Sequence, residues 1–402
     1  LDFPSYVPFM TYAKNRDLRK EFSLAFGKRG FQDNNNNNTD IILRLIKLRK
    51  KRAKLLGYDS HAAFVLEERM ATSEENVVAF LEDLYQKAYP AAQREWQEME
   101  HFAKQNLGLN TLEKWDTAYV SEKLKKAQLK LDEQQLKPYF PLERVKAGVF
   151  DIANKLYGLH FKKNITLEGY HTDVEVFEVY NREGDFYALL YTDFFPRPGK
   201  RSGAWMTSYR GQKKGQRPHI SIVCNFSKPT ASTPSLLTFQ EVTTLFHEFG
   251  HALHGMLANT TYGGLSGTNV YWDFVELPSQ IMENWCYEKE ALELFAKHYR
   301  SQEVIPMEYI DKIKKAARFQ QGLQTLRQLG FGFLDLSYHS SQATNIHSIK
   351  THESTILKRV QFTKDHLENC SSTAFSHIFQ GGYSAGYYSY KWAEVLDADA
   401  FE

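Results

Sequence analysis

Cysteine is nearly missing from this sequence: 402 residues contain three, Cys224, Cys286 and Cys370. Thiols so few and so widely spaced make neither a disulfide scaffold nor a Cys-based zinc site, and each is expected as a small core residue. An excess of charge of one sign is missing too. Fifty basic side chains against 48 acidic ones leave a net +2 spread along the chain, without the electrostatic footprint that nucleic acid or an anionic membrane surface would call for. No apolar run approaches the roughly 20 residues of a bilayer span. The opening LDFPSYVPFM lacks the basic and apolar regions of a secretory leader. Nor does any internal repeat emerge. A partner therefore has to be argued from a site, and a monomer without nucleic-acid or membrane partners is the expectation.

Core material, by contrast, is plentiful. The chain is 42% hydrophobic and 14% aromatic, with 28 Phe and 23 Tyr, and its length exceeds what one hydrophobic core usually supports. One large domain or two lobes sharing an interface is expected. In the first third, RDLRKEFSLAF, IILRLIKLRKKRAKLLG and SEENVVAFLEDLYQKAYPAAQREWQEMEHFAKQNLG place apolar residues at three- and four-residue intervals, the period of amphipathic helices. FQDNNNNNTD, between the first two, reads as an exposed loop because consecutive Asn favour turns. From Asp173 the period shortens: DVEVFEVY, FYALLYTDFF and HISIVCNF are β-rich and separated by Gly, Pro and Asn, which predicts a small sheet. Helical patterns return after Thr238, broken by Gly-rich stretches at Gly263 to Gly267 and Gly381 to Gly386. The expected fold is mainly α, multihelical, with a small β-sheet.

LTFQEVTTLFHEFGHALHGML, Leu237 to Leu257, carries the chemistry. Thr238 and Glu241 have the capping-box spacing, so a helix start is well signalled. In that helix His247 and His251 stand one turn apart on one face and can offer both imidazoles to one ion, while Glu248 sits at the edge of that face, placed to act on water. A catalytic zinc usually takes a third protein ligand. His254 lies too far along the helix axis for three donors to converge about 2 Å from one ion, and it reads as a packing residue. The metzincin pattern fails because His254 occupies the position that pattern gives to Gly. A carboxylate from a second helix fits better, and TNVYWDFVELPSQIMENWCYE supplies Asp273, Glu276 and Glu283. Spacing does not choose among them.

FHEFGHALHGML, LSGTNVYWDFVELPSQIMENWC and FSHIFQGGYSAGYYSYKWAEVL together resemble the thimet oligopeptidase, oligopeptidase A and peptidyl-dipeptidase family of zinc metallopeptidases. LDFPSYVPFM, WDTAYVSEK, LKPYFPLERV, RSGAWM and VCNFSKP extend the resemblance over nearly the whole chain. It implies a zincin-like fold with the small sheet beside the His247 helix, and one zinc ion held by His247, His251 and the Glu of DFVE, which is Glu276, 276 − 247 = 29 residues after the first His. HALHGML, LSGTNV and VCNFSKP look closer to the bacterial peptidyl-dipeptidases than to the animal thimet enzymes. In these terms residues 1–165 form a helical lobe lining a channel, and residues 166–402 form the catalytic region with the sheet, the motif helix and the Gly/Tyr-rich loop. Measured against the family pattern, the chain is expected to be a fragment lacking N-terminal helical and C-terminal segments.

Amide hydrolysis needs a nucleophile, a proton carrier and donors for the carbonyl oxygen as it gains charge. Zinc acidifies water and polarises the carbonyl, and Glu248 is the expected proton shuttle. HIFQGGYSAGYYSY offers the donors. The resemblance assigns the transition-state donor to Tyr390 and places His377, Tyr383 and Tyr387 near the substrate, with Gly381 and Gly382 allowing close backbone approach. Tyr388, next to Tyr387 and two residues before Tyr390, reads as core. HISIVCNF resembles the edge strand that holds extended peptide by backbone pairing, and Arg201 is a candidate anchor for a substrate carboxylate. The function implied is zinc-dependent cleavage of short peptides, by release of C-terminal dipeptides or, alternatively, by internal cleavage. A peptide-binding protein without catalysis is the third reading, and it would need neither Glu248 nor Tyr390. The expected compartment is the cytoplasm, with an exported location left open because the chain does not begin with Met.

Overall fold

Ser73 sets the start of the longest helix, Glu74–Leu107, by accepting from the Asn76 amide, and Gly108 ends it at φ +67. Such signals recur throughout a computed structural model of the chain, which describes residues 3–131, 133–343 and 346–401. The chain forms two compact units, each assembled from two stretches: Leu1–Lys130 with Ala317–Trp392, and Leu131–Ala316 with Ala393–Glu402.

The first unit is helical. Its core lies where Glu74–Leu107 runs against Gln321–His339, burying Val77, Leu81, Leu326, Leu329 and Tyr338. Gly322 permits that approach, since a Cβ there would lie 2.5 Å from the Ala92 nitrogen. Glu95 accepts from the Gly322 and Leu323 amides and so caps the second helix. The Asn-rich segment is a largely exposed run of turns and bends before the helix Thr39–Leu55.

The second unit holds a five-stranded sheet: β1 (His160–Asn164), β2 (Glu175–Tyr180), β3 (Phe186–Asp193), β4 (Trp205–Arg210) and β5 (His219–Val223), in the order β1-β2-β3-β5-β4. Only the β3/β5 pair is parallel. The sequence pattern revealed β2, β3 and β5 but neither β1 nor β4, whose HFKKN and WMTSYR show no clean alternation. It also misplaced the edge. HISIV is β5, paired on both sides, and the edge strand beside it is β4. Burial gives the reason: Ile220 to Val223 are all buried, as a strand covered on both faces must be.

The sequence suggested one cut near residue 165. The structure starts the second unit at Leu131 because the helix Leu142–Tyr157 belongs with the sheet. Its Gly148 presses on Phe295, and its Phe150 stacks on Phe161 of β1 at 4.1 Å between centroids. Cys224, Cys286 and Cys370 are free and buried. Among the described residues no helix is long and apolar enough to cross a membrane.

Candidate metal centre

The helix Phe239–Met256 begins with the predicted capping box. Thr238 Oγ1 accepts from the Glu241 amide at 3.1 Å, and Glu241 Oε2 accepts from the Thr238 amide at 2.7 Å. At the other end Arg217 donates to the carbonyls of Met256 (2.7 Å) and Ala258 (2.9 Å) and to Tyr187 of β3 (2.7 Å). A cation at exposed carbonyls complements the helix dipole and ties the helix to the sheet. Gly255 lies against Met206 and Ile220 of that sheet. The helix that carries the motif is thus fixed at both ends.

His247 and His251 project from it one turn apart, with ring centroids 5.0 Å apart and planes perpendicular. Glu276 precedes the helix Leu277–Asn284 and is 2% exposed. Its Oε2 stands 3.3 Å from His247 Nε2 and 3.2 Å from His251 Nε2. Among the described residues these three form a donor set able to hold one metal ion, with all ligand atoms within 4.8 Å of one another. Asp273 and Glu283 are not part of it. Two donors each 2.0–2.1 Å from a tetrahedral zinc would be about 3.3 Å apart, so the two separations of 3.3 and 3.2 Å suit that ion. Two imidazoles and one carboxylate are also a donor set that zinc takes.

The surrounding groups prepare this set. Glu283 Oε1 accepts from His247 Nδ1 at 2.7 Å, which turns Nε2 toward Glu276. Ser279 Oγ donates to Glu276 Oε2 at 3.0 Å. Burial disfavours the His247 imidazolium, but its hydrogen bonds to the Glu276 and Glu283 carboxylates outweigh burial and push the group up to about 10. Burial likewise opposes ionisation of Glu276, and His247 and His251 hold it far below the usual carboxylate range. A positive charge is therefore strongly favoured among these donors. Glu248 is 6% exposed, and its Oε2 is buried without a hydrogen-bond partner. Burial raises its carboxyl above the ordinary value.

His254 joins none of this. Its ring edge faces Phe274 at 6.4 Å, and burial lowers its basicity, as a packed imidazole requires. Arg201 is exposed near the edge strand, its guanidinium 5.7 Å from the Trp205 ring centroid. The loop carrying it is anchored by Asp193, which takes two hydrogen bonds from Arg197 (2.7 and 2.8 Å) and one each from Lys200 and Tyr170 (2.8 Å each).

The Gly/Tyr-rich segment lies in the helical unit, where His377, Tyr383, Tyr387 and Tyr390 gather into one aromatic cluster. His377 meets Tyr383 at 6.0 Å and Tyr387 at 5.8 Å, and Tyr383 stacks on Tyr390 at 5.1 Å and 12°. Burial pushes the Tyr387 hydroxyl up to about 12. Tyr388 is buried against Trp392. Gly381 and Gly382 are exposed, and a Cβ on Gly381 would meet the His377 carbonyl at 2.9 Å.

A helix offering His and His one turn apart, met by a buried Glu from the turn that leads into the next helix, defines the His2Glu class of metal sites. The chain belongs to peptidase family M3, whose model matches residues 9–402. It is 40% identical to oligopeptidase A of Escherichia coli over its full length and 61% of that protein's. It is 35% identical to dipeptidyl carboxypeptidase of Salmonella typhimurium, over 98% of the chain and 59% of the relative. The chain thus spans about 60% of the length of these curated relatives. A solved structure titled "PZ peptidase A with inhibitor 2" shares the fold at TM-score 0.60 and 16% identity, over 98% of this chain and 60% of that one.

Proposed function

We propose that this chain acts as a zinc-dependent peptidase of short peptides, with His247, His251 and Glu276 as the ligands of one zinc ion. The observation that carries this is the pair of 3.2–3.3 Å separations between the Glu276 carboxylate oxygen and the two imidazole nitrogens. Zinc held there lowers the pKa of water to about 7 and polarises a peptide carbonyl. Glu248 takes the proton from water at its unpartnered Oε2 and delivers it to the leaving amine. Burial suits it to the task, because a carboxyl raised above its ordinary value holds an abstracted proton better before passing it on. Tyr390 is assigned the hydrogen bond to the developing oxyanion, and His377, Tyr383 and Tyr387 are assigned contacts to substrate, on the strength of the family's motif. Gly381 and Gly382 give that loop its access, β4 offers an edge for extended peptide, and Arg201 beside it is proposed to anchor a substrate carboxylate. Action is placed in the cytoplasm, by a monomer.

On the mode of cleavage, HALHGML, LSGTNV and VCNFSKP suggested release of C-terminal dipeptides. Relatives bearing both kinds of name match, oligopeptidase A at 40% identity and dipeptidyl carboxypeptidase at 35%, so dipeptide release is kept as the first reading and internal cleavage as the second. The experiment is incubation of an N-terminally blocked pentapeptide with and without chelator, followed by mass analysis, and repeated on the C-terminally amidated peptide. Chelator-sensitive internal cuts, indifferent to amidation, support the oligopeptidase mode. Dipeptide release lost on amidation supports the other. Binding without cleavage overturns the peptidase reading.

A further inference from the structure

The segment that bears Tyr383, Tyr387 and Tyr390 is held by a group that belongs to no recognised motif. Asp335, on the helix Gln321–His339, is 1% exposed. One of its oxygens accepts from the Ala385 amide at 2.8 Å, and the other accepts from the amides of Gly386 and Tyr387 at 2.9 Å each. Three successive backbone N–H groups converging on one carboxylate form an anion-binding concavity, filled here by the protein's own side chain. The backbone needs such help, because Ala385 sits at φ +56, a conformation that L side chains rarely adopt.

Behind Asp335 the arrangement continues. His339 Nδ1 donates to Asp335 Oδ1 at 2.8 Å, and Arg49 donates to His339 Nε2 at 2.8 Å, which leaves the ring proton on the nitrogen facing Asp335. The same Arg49 nitrogen donates to the Ile378 carbonyl at 2.7 Å, on the entering side of the segment. His61 Nε2 is 3.0 Å from the Ser384 hydroxyl. These contacts grip the segment at 378 and again at 384–387, with the Gly381–Gly382 pair between the grips.

We propose that Asp335, aimed by His339 and Arg49, is the positioning residue of the Tyr383–Tyr390 segment: it touches no substrate and sets where the reacting tyrosine stands. This rests on the peptidase reading above. A mere packing role for Asp335 would lower stability and leave turnover per folded molecule unchanged. A positioning role lowers kcat through Tyr390.

The test combines hydrogen exchange with a double-mutant cycle on the whole chain loaded with zinc. In Asp335→Asn, amide exchange at 385–387 is expected to accelerate roughly tenfold or more, the loss of charge-assisted hydrogen bonds, with the neighbouring helix unaffected. Turnover on a short peptide should fall about 10²-fold with KM little changed, the effect of a small misplacement. In a Tyr390→Phe background the same substitution should cost little further. Adding Ala385→Gly, which accepts the φ without strain, should restore part of both losses. His339→Gln leaves the carboxylate but removes the group that aims it; it should give the same signature at smaller amplitude and serves where Asp335→Asn does not fold. Unchanged exchange at 385–387, full additivity with Tyr390→Phe, or a loss confined to KM would overturn the proposal. If the unaltered chain cleaves no peptide, the peptidase reading falls, and the exchange measurement still decides whether Asp335 pins the segment.

Discussion

Gly250 and Pro278 meet without room for a methyl group: a Cβ on Gly250 would lie 2.2 Å from the Pro278 carbonyl oxygen and 2.6 Å from the Ser279 Cα. Both obstacles are backbone, so no side-chain rotation relieves them. Gly250 stands between Glu248 and His251, and Pro278 follows Glu276 by two residues. The contact therefore sets how closely the carboxylate approaches the two imidazoles.

Gly250→Ala tests this. Alanine favours the helix by about 1 kcal/mol, whereas overpacking costs about 1–3 kcal/mol, so a modest net destabilisation is expected. The larger effect is on metal. Separating the two helices by a fraction of an ångström should weaken zinc binding about 10- to 100-fold, as a disturbed ligand support does. Competition with a chromophoric chelator measures it, and unchanged affinity would show that the glycine does not govern the ligand distance.

Glu276→Gln keeps shape and burial but removes the charge. Because Glu276 is buried and shared by both imidazoles, a neutral amide should reduce zinc affinity by more than about 100-fold with the fold largely kept. Glu283→Gln, which loosens only the orientation of His247, should fall within about 10- to 100-fold. Metal analysis after dialysis reports both, and full occupancy in Glu276→Gln would refute the ligand assignment.

Glu248→Gln separates binding from chemistry. Glu248 has no hydrogen-bond partner at Oε2 and is absent from the donor set, so zinc content should stay at the level of the unaltered chain. Peptide turnover should fall about 10²–10⁴-fold, the worth of a proton shuttle. Joint loss of zinc and activity would place Glu248 among the ligands instead.

The parts of this site set by local rules were legible in the sequence. Thr238 with Glu241 announced the helix, and a spacing of four put His247 and His251 on one face. Glu276 was not fixed by spacing, because the turns between Leu257 and Val275 bring it back and no period describes them; resemblance supplied it. Glu283 was one of three candidate ligands, and the structure places it instead on the far nitrogen of His247, outside the donor set. Gly250 and Asp335 carried no signal, since one acts through absent volume and the other through backbone amides 50 residues away. The edge strand was misread for a related reason. Alternation reveals that HISIV is a strand, but its neighbours in the sheet depend on WMTSYR, which does not alternate. The return of residues 317–392 to the helical unit is likewise a long-range pairing, fixed by Gly322 against Ala92.

Asp193 yields the pH prediction. Its side chain is 1% exposed and that of Lys200 is 3% exposed. Burial alone would raise its pKa, but hydrogen bonds from Arg197, Lys200 and Tyr170 outweigh burial and lower it from 3.8 to about 2. A carboxyl depressed on folding adds stability that is present above the unfolded value and is lost as pH falls through the folded one. Asp193→Asn leaves Lys200 buried beside a neutral partner and should cost about 3–5 kcal/mol near pH 7. The difference in thermal stability between the unaltered chain and the variant should hold from pH 7 to about 4. Below that, Asp193 takes up its proton first in the unfolded chain and only near pH 2 in the folded one, so the gap should narrow toward pH 2. Lys200 Nζ also donates to the carbonyls of Asp193 (3.0 Å), Phe195 (2.8 Å) and Cys224 (2.6 Å), so part of the gap should survive as misplacement of the loop that carries Arg201. A gap constant down to pH 2 would mean that these carbonyl contacts, rather than the charge on Asp193, hold the loop in place.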